Sequence, residues 1–89
     1  MTAPKKKRVN FALHAPDAET VHLAGTFNDW DPSARPLKRG RKGIWRTWMS
    51  LSPGRYEYRF VVDGRWQEDP VCAGRVPNAF GGYNSVLEV

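Results

Sequence analysis

Two tryptophans in this chain fall among residues that usually form turns. Trp30 lies in the stretch 27–36, which is dense in Asn, Asp, Pro and Ser, so it is either a cap on the core or an exposed platform. Trp66 follows Asp63-Gly64, the strongest short signal for a two-residue hairpin. An exposed indole offers a flat apolar surface with one N–H donor, which suits stacking against another ring better than covalent chemistry.

The hairpin register predicts which face of the sheet carries Trp66. Closing a two-residue turn at Asp63-Gly64 pairs Val61 with Trp66, and directly paired residues point to the same face. Trp66 therefore shares its face with Arg59. The opposite face carries three alternating aromatic residues, Tyr56, Tyr58 and Phe60. We expect those three to face the core and Trp66 to be exposed beside Arg59.

Three further candidates each have an ordinary alternative. Arg59 could be a simple cross-strand partner of Glu68, which falls opposite it in the same register. Phe80 and Asn84 flank Gly81-Gly82, where the backbone can approach a ligand closely and an amide can both donate and accept. Taken singly, Phe80 is more typical of a core position, and Asn84 of a turn.

The candidate residues together suit the binding of a sugar ring. A pyranose presents C–H bonds as an apolar patch and hydroxyls as a polar rim, so its site needs flat aromatic rings with amide or cationic donors. The candidate binding residues are Trp30, Arg59, Trp66, Phe80 and Asn84. Trp48 is also predicted on the polar face of its strand, but the N-terminal segment could equally cover it, and it stays outside the set.

No catalytic or metal site is expected from the sequence. Glycoside hydrolysis requires paired carboxylates across a cleft, and the acidic residues fall in turns and on strand exteriors. His14 and His22 lack the spacing of a triad or a metal-ligand set. The single cysteine, Cys72, excludes an internal disulfide. We therefore expect no enzyme activity, no metal and no cofactor.

The distribution of turn residues predicts an all-β fold. Pro and Gly recur about every ten residues, and no window keeps a helical period of apolar residues. In 89 residues this predicts a two-sheet, immunoglobulin-like β-sandwich of seven to eight strands. The stretches 27–36 and 38–43 are expected to be loops. The clearest strands are 8–15, 20–25, 44–51, 55–62 and 83–89.

The net charge of +5 raises the question of an anionic partner. Basic residues concentrate at 5–8 and 38–42, but nine acidic residues elsewhere dilute them, so we do not expect nucleic acid as a partner. We expect a basic N-terminal tail over 1–8 and a binding domain over 9–89. No stretch approaches the roughly 20 apolar residues of a membrane span, and we expect a cytoplasmic protein without a membrane partner.

Three segments carry a resemblance to a known family. They are VHLAGTFNDW at 21–30, YEYRFVVDGRWQEDP at 56–70 and NAFGGYNSVLEV at 78–89. In this order and spacing they closely resemble carbohydrate-binding module family 48. That family includes the glycogen-binding domain of the AMP-activated protein kinase β subunit and the early-set domains that precede the barrel of glycoside hydrolase family 13 enzymes.

The resemblance implies noncatalytic binding of α-1,4-linked glucans such as glycogen or starch by an early-set sandwich. Two tryptophans, a lysine, a leucine and an asparagine contact sugar in the kinase-type members, and they match, in that order, Trp30, Trp66, Arg59, Phe80 and Asn84. Gly82 stands where those members carry a threonine. The alternative is an accessory or scaffold domain of a family 13 enzyme or kinase-type complex, with a glucan-active enzyme as protein partner.

Overall fold

Strands form where apolar and polar residues alternate, because only one face of each strand is buried. The computed structural model describes residues 5–72 and 74–89. Within these ranges it has eight strands and no α-helix, and two short 3₁₀ turns cover Thr26–Asn28 and Arg41–Gly43. The strands are β1 (Lys7–His14), β2 (Val21–Gly25), β3 (Lys38–Arg39), β4 (Ile44–Leu51), β5 (Arg55–Val62), β6 (Arg65–Gln67), β7 (Arg75–Pro77) and β8 (Tyr83–Glu88).

The strands form two antiparallel sheets that make a β-sandwich. One sheet has the order β1-β4-β3, and the other has the order β2-β5-β8-β7 with β6 paired to the end of β5. The predicted fold class and strand number are confirmed. Several bounds differ from expectation, and β7 lies in a stretch predicted to be irregular. Lys38–Arg39 forms a short strand inside a predicted loop, and β1 already begins at Lys7, inside the predicted tail. Residues 1–4 of that tail lie outside the described residues.

Aromatic residues from both sheets meet in the core. Phe11 of β1 packs edge-on against Tyr58 of β5 at 5.2 Å between ring centroids, and Tyr58 packs against Phe60 at 5.9 Å. Trp45 of β4 is buried and its indole N–H donates to the Ala15 carbonyl oxygen at 2.9 Å. Each such side chain contributes about 1.5–3 kcal/mol on burial. The core therefore fixes the inward face of β5.

The register of β5 with β6 is the one that the sequence predicts, with Val61 paired to Trp66. Tyr58 and Phe60 are buried as expected, while Tyr56 is half-buried. The outward face of β5 is less accessible to solvent than expected, since Val61 is only 4% exposed. Its direct partners on the two flanking strands, Trp66 and His22, share that face and cover it.

A partly buried hydrogen bond ties the segment after β6 to β5. The Tyr58 hydroxyl donates to Asp69 Oδ2 at 2.6 Å, and the Asp69 backbone N–H donates to Ser85 Oγ at 3.2 Å. Burial, together with this carboxylate, raises the pKa of the Tyr58 phenol well above its ordinary value. Tyr58 therefore keeps the proton that it donates, and the chain leaving β6 is held against β5 and β8.

Gly25, at the end of β2, is a position where only glycine fits. A Cβ atom there would lie 2.5 Å from the Glu57 carbonyl oxygen and 2.8 Å from the Phe27 ring. We expect Gly25→Ala to lower the free energy of unfolding by about 1–3 kcal/mol, the usual cost of overpacking. Urea denaturation checks this. The control is Gly74→Ala, whose Cβ would meet its nearest neighbours at an ordinary 3.5 Å; equal midpoints for the two variants would contradict the packing argument.

Candidate functional site

The five candidate residues converge on one groove. Trp30, Arg59, Trp66, Phe80 and Asn84 all line a cavity of about 680 Å³ on the outward side of the five-stranded sheet. We call it the aromatic groove. Its other lining residues are Thr26, Glu57, Pro77, Asn78 and Ala79. Its volume lies in the ordinary range for ligand sites, about 300–1,000 Å³.

Trp30 is placed by a tight turn that one asparagine side chain stabilises. Asn28 Oδ1 accepts from the Gly25 N–H at 3.0 Å, and Asn28 Nδ2 donates to the Leu23 carbonyl oxygen at 3.0 Å. Asp29 and Trp30 then adopt left-handed backbone angles, with φ of 54° and 58°. Such angles cost about 1–2 kcal/mol per non-glycine residue. The turn moves the half-buried indole out of line with β2 and into the groove.

Trp66 lies beside Trp30 in the groove. The Trp66 side chain is 41% exposed, and the two ring centroids lie 6.3 Å apart with the ring planes inclined at 52°. The predicted exposure of Trp66 is confirmed. The two indoles form two apolar walls at an angle, and not one continuous flat floor.

Arg59 lies in the groove without the cross-strand partner that the register suggested. β6 ends at Gln67, and Glu68 turns to Arg75, with 3.7 Å between Glu68 Oε1 and Arg75 Nη1. The cross-strand alternative for Arg59 is therefore wrong. The Nε atom of Arg59 is buried and has no hydrogen-bond partner among the described residues, an arrangement that costs about 1–3 kcal/mol. The guanidinium is thus left without an internal carboxylate.

A second asparagine orders the loop that carries Phe80. Asn78 Oδ1 accepts from the backbone N–H groups of Phe80 at 2.9 Å and Gly82 at 3.1 Å, and the Asn78 N–H donates to the Gly82 carbonyl oxygen at 2.9 Å. Gly81 completes the turn with a φ of 84°. Phe80 is 94% exposed at the tip of this loop, so a core position for it is wrong.

The side-chain amide of Asn84 is held from both ends. Its Nδ2 donates to Glu57 Oε1 at 3.2 Å, and its Oδ1 accepts from Asn78 Nδ2 at 3.2 Å. Glu57 is itself held by Arg55, with 3.1 Å between Glu57 Oε2 and Arg55 Nη1. One N–H and one lone pair of Asn84 are left over by these two bonds. The amide is therefore oriented before any ligand arrives.

Sequence analysis missed Asn78 and Glu57 as parts of the groove. Asn78 had a signal, since an asparagine that begins N-A-F-G-G is typical of a side-chain-stabilised turn. Glu57 could be placed on the groove face of β5 by alternation, but its bond to Asn84 joins residues 27 positions apart. That contact depends on the pairing of β5 with β8, which no local pattern predicts.

The remaining candidates lie outside the groove. Trp48 is 50% exposed on the other sheet, with the Arg8 guanidinium 4.5 Å from its ring centroid.

Among residues 5–72 and 74–89, no group of three or more His, Cys, Asp or Glu is arranged to hold a metal ion. No helix in the described part of the chain is long and apolar enough to cross a membrane.

The fold and the aromatic groove together are those of a carbohydrate-binding β-sandwich. A family model described as the glycogen recognition site of AMP-activated protein kinase matches residues 9–89. The chain belongs to this family.

Relatives with this similarity include plant and animal proteins. The chain is 37% identical over 79% of its length to the chloroplastic PTST homolog 2 of Arabidopsis thaliana, and 31% identical over 98% to the 5'-AMP-activated protein kinase subunit beta-1 of Rattus norvegicus. It is 38% identical over 72% to the chloroplastic FLOURY ENDOSPERM 6 of Oryza sativa subsp. japonica. The matches span 12%, 31% and 12% of these relatives' lengths, respectively.

The hairpin that presents Trp66 is clamped by a carboxylate. Asp63 Oδ1 accepts from the backbone N–H groups of Glu19 and Thr20, both at 2.8 Å. The bond from Thr20, then that from Glu19, lowers the pKa of Asp63 below its ordinary 3.8. A folded-state pKa below the unfolded value means that the clamp contributes its stability above about pH 4 and loses it as the pH falls through the folded-state pKa.

We expect Asp63→Asn to lower the melting temperature at pH 6, and the difference from the unsubstituted chain to shrink as the pH falls below 4. Thermal melts followed by circular dichroism over pH 2–7 measure this. The matched control is Asp17→Asn, which removes an exposed carboxylate from the β1-β2 loop that also holds Glu19 and Thr20. A deficit in Asp63→Asn that stays constant with pH would rule out the titrating clamp.

Proposed function

We propose that this chain binds α-1,4-linked glucans, such as glycogen, starch and maltooligosaccharides, without converting them. The observation that carries the proposal is the pair Trp30 and Trp66, whose ring planes are inclined at 52° in one groove that Arg59 and Asn84 also line. Membership in a family described as a glycogen recognition site supports the same ligand class.

The inclination of the indoles favours a curved chain. Two walls at 52° cannot both lie flat against coplanar sugar rings, but successive rings of an α-1,4-linked glucan turn relative to one another. Each indole can then stack on the C–H face of a different glucose. Phe80, exposed at the rim, adds a third apolar contact along the concave side of such a chain.

The polar residues of the groove match a rim of hydroxyls. Arg59 brings donors that no internal carboxylate occupies, and Asn84 keeps one donor and one acceptor in a fixed orientation. Gly82 contributes no side-chain hydroxyl, in contrast to the threonine of the kinase-type members. With only a shallow site, we expect a dissociation constant in the micromolar to millimolar range, or about 4–8 kcal/mol.

The proposal extends to the role of the domain. We propose that residues 9–89 are the binding unit and that it serves as a noncatalytic accessory to a glucan-active enzyme. The relatives are longer than the matched region, so the activity of any larger assembly belongs to this proposal as well. A cytoplasmic location stays a prediction, and two relatives are named as chloroplastic.

Removing either groove tryptophan tests the proposal. We expect Trp30→Ala and Trp66→Ala each to weaken maltoheptaose binding at least about tenfold, since truncating a central aromatic anchor costs about 1.4 kcal/mol or more. Isothermal titration calorimetry and mobility in glycogen-containing gels measure the loss. Trp48→Ala removes an indole of similar exposure from the other sheet and should bind normally. Unchanged binding in both groove variants would refute the proposed function.

The charge at position 59 is expected to matter more than its guanidinium shape. Arg59→Lys keeps the cation, removes the unpartnered Nε atom and restores the residue that the kinase-type members carry, so we expect its affinity to stay within about threefold of the unsubstituted chain. Arg59→Met keeps the stem and removes the donors, and should lose about fivefold or more. The same maltoheptaose titration measures both. If Arg59→Lys bound maltoheptaose as weakly as Arg59→Met, the planar arrangement of the guanidinium donors would be required for binding.

A further inference from the structure

All the charged residues of the three-stranded sheet and of the turn between β3 and β4 have the same sign. The segments 5–14 and 38–51, which contain β1, β3 and β4, hold nine of the 14 Lys and Arg residues and none of the nine Asp and Glu residues. Counted over the whole chain, nine acidic residues dilute the 14 basic ones. In the fold they are segregated, because every acidic residue lies outside these segments.

The outward face of this sheet combines cations with one large aromatic residue. β-Sheet pairing places Arg8 beside Ser50, Asn10 beside Trp48, and Lys38 beside Arg46, and paired residues share a face. All six side chains are exposed. The alternate residues Phe11, Leu13 and Trp45 are buried, so the six point away from the core. We call them the outer basic face: Arg8, Asn10, Lys38, Arg46, Trp48 and Ser50.

Trp48 lies at the centre of this face. It is 50% exposed, and the Arg8 guanidinium lies 4.5 Å from its ring centroid. The two ion pairs found among the described residues, Arg55 with Glu57 and Arg75 with Glu68, belong to the other sheet. The cations of the outer basic face therefore have no carboxylate partner there. Tryptophan and arginine within a polar rim is the composition of a protein–protein hot spot.

We infer that the outer basic face binds an acidic protein surface, with Trp48 as its apolar anchor. Charge complementarity selects an anionic partner, and a partner with an apolar residue among its carboxylates can pack against the indole while Arg8, Arg46 and Lys38 are neutralised. Single-stranded nucleic acid is the other polyanion to consider. Its binding sites stack successive bases on several aromatic side chains, whereas this face has one, already covered on one side by Arg8.

The position of this face gives the inference a functional consequence. The aromatic groove lies on the outward side of one sheet and the outer basic face on the outward side of the other, so the two surfaces point in opposite directions. One domain can hold a glucan and an acidic protein at the same time. Binding at the outer basic face does not depend on whether the groove binds glucan, so the two proposals fail separately.

The test is fluorescence anisotropy with a fluorescein-labelled peptide of four Glu-Glu-Leu repeats, in low salt. The unsubstituted chain should bind it, and the double variant Arg8→Gln, Arg46→Gln should bind at least about tenfold more weakly. The control is Arg35→Gln, Arg65→Gln, which lowers the net charge equally with residues outside this sheet and should lose less than about threefold. Trp48→Ala should lose about fivefold or more, the usual effect of removing an anchor.

Five results would overturn the inference. Four of them are no binding of the peptide, equal weakening by the two double variants, full affinity in Trp48→Ala, and tighter binding of an oligothymidylate of matched charge than of the peptide. Absence of binding, or full affinity in Trp48→Ala, would show that this face is not a docking surface anchored by Trp48. Equal weakening by the two double variants would show that only the net charge of the chain matters. Tighter binding of the oligothymidylate would assign the face to nucleic acid. Displacement of the peptide by saturating maltoheptaose would place it in the groove and would also overturn the inference.

Discussion

The alternation of side chains along β5 is the constraint on which both the core and the groove depend. Tyr58 and Phe60 point inward and are buried, while Glu57 and Arg59 point outward into the groove. A slip of one residue in the pairing of β5 would exchange these faces, burying a carboxylate and a guanidinium and exposing two aromatic rings. The burial energy of the core thus specifies the register of β5. The same register places Glu57 and Arg59 in the groove, so the stability of the fold and the geometry of the site depend on the same strand pairing.

Two loops complete the groove, and one asparagine side chain stabilises the backbone of each. Asn28 satisfies the backbone of the turn before Trp30, and Asn78 satisfies the backbone of the loop that carries Phe80. In both loops a short amide side chain replaces the strand hydrogen bonds that the turn gives up, so an aromatic residue can leave the sheet without unsatisfied backbone groups. The walls of the groove are consequently held in place by hydrogen bonds within each loop, which favours a preformed site.

The parts of this structure that were predictable from sequence are those that local rules specify. The Asp63-Gly64 turn determines the β5-β6 register, and with it the exposure of Trp66 beside Arg59. Trp30 stayed open between core and surface, because its position depends on two successive left-handed residues. The bond between Asn84 and Glu57, and the meeting of the basic segments 5–14 and 38–51 in one sheet, depend on strand pairings between distant segments, which local sequence patterns do not predict.

The indole N–H groups offer the most direct test of the central claim, because the four tryptophans report from distinct environments. Trp30 and Trp66 line the groove, Trp45 is buried with its N–H bonded to Ala15, and Trp48 is exposed on the opposite sheet. In a ¹H–¹⁵N correlation spectrum titrated with maltoheptaose, the account predicts that the Trp30 and Trp66 signals shift together and saturate with one dissociation constant, while those of Trp45 and Trp48 stay in place. Shifts confined to Trp48, or no shift at Trp30 and Trp66, would contradict it.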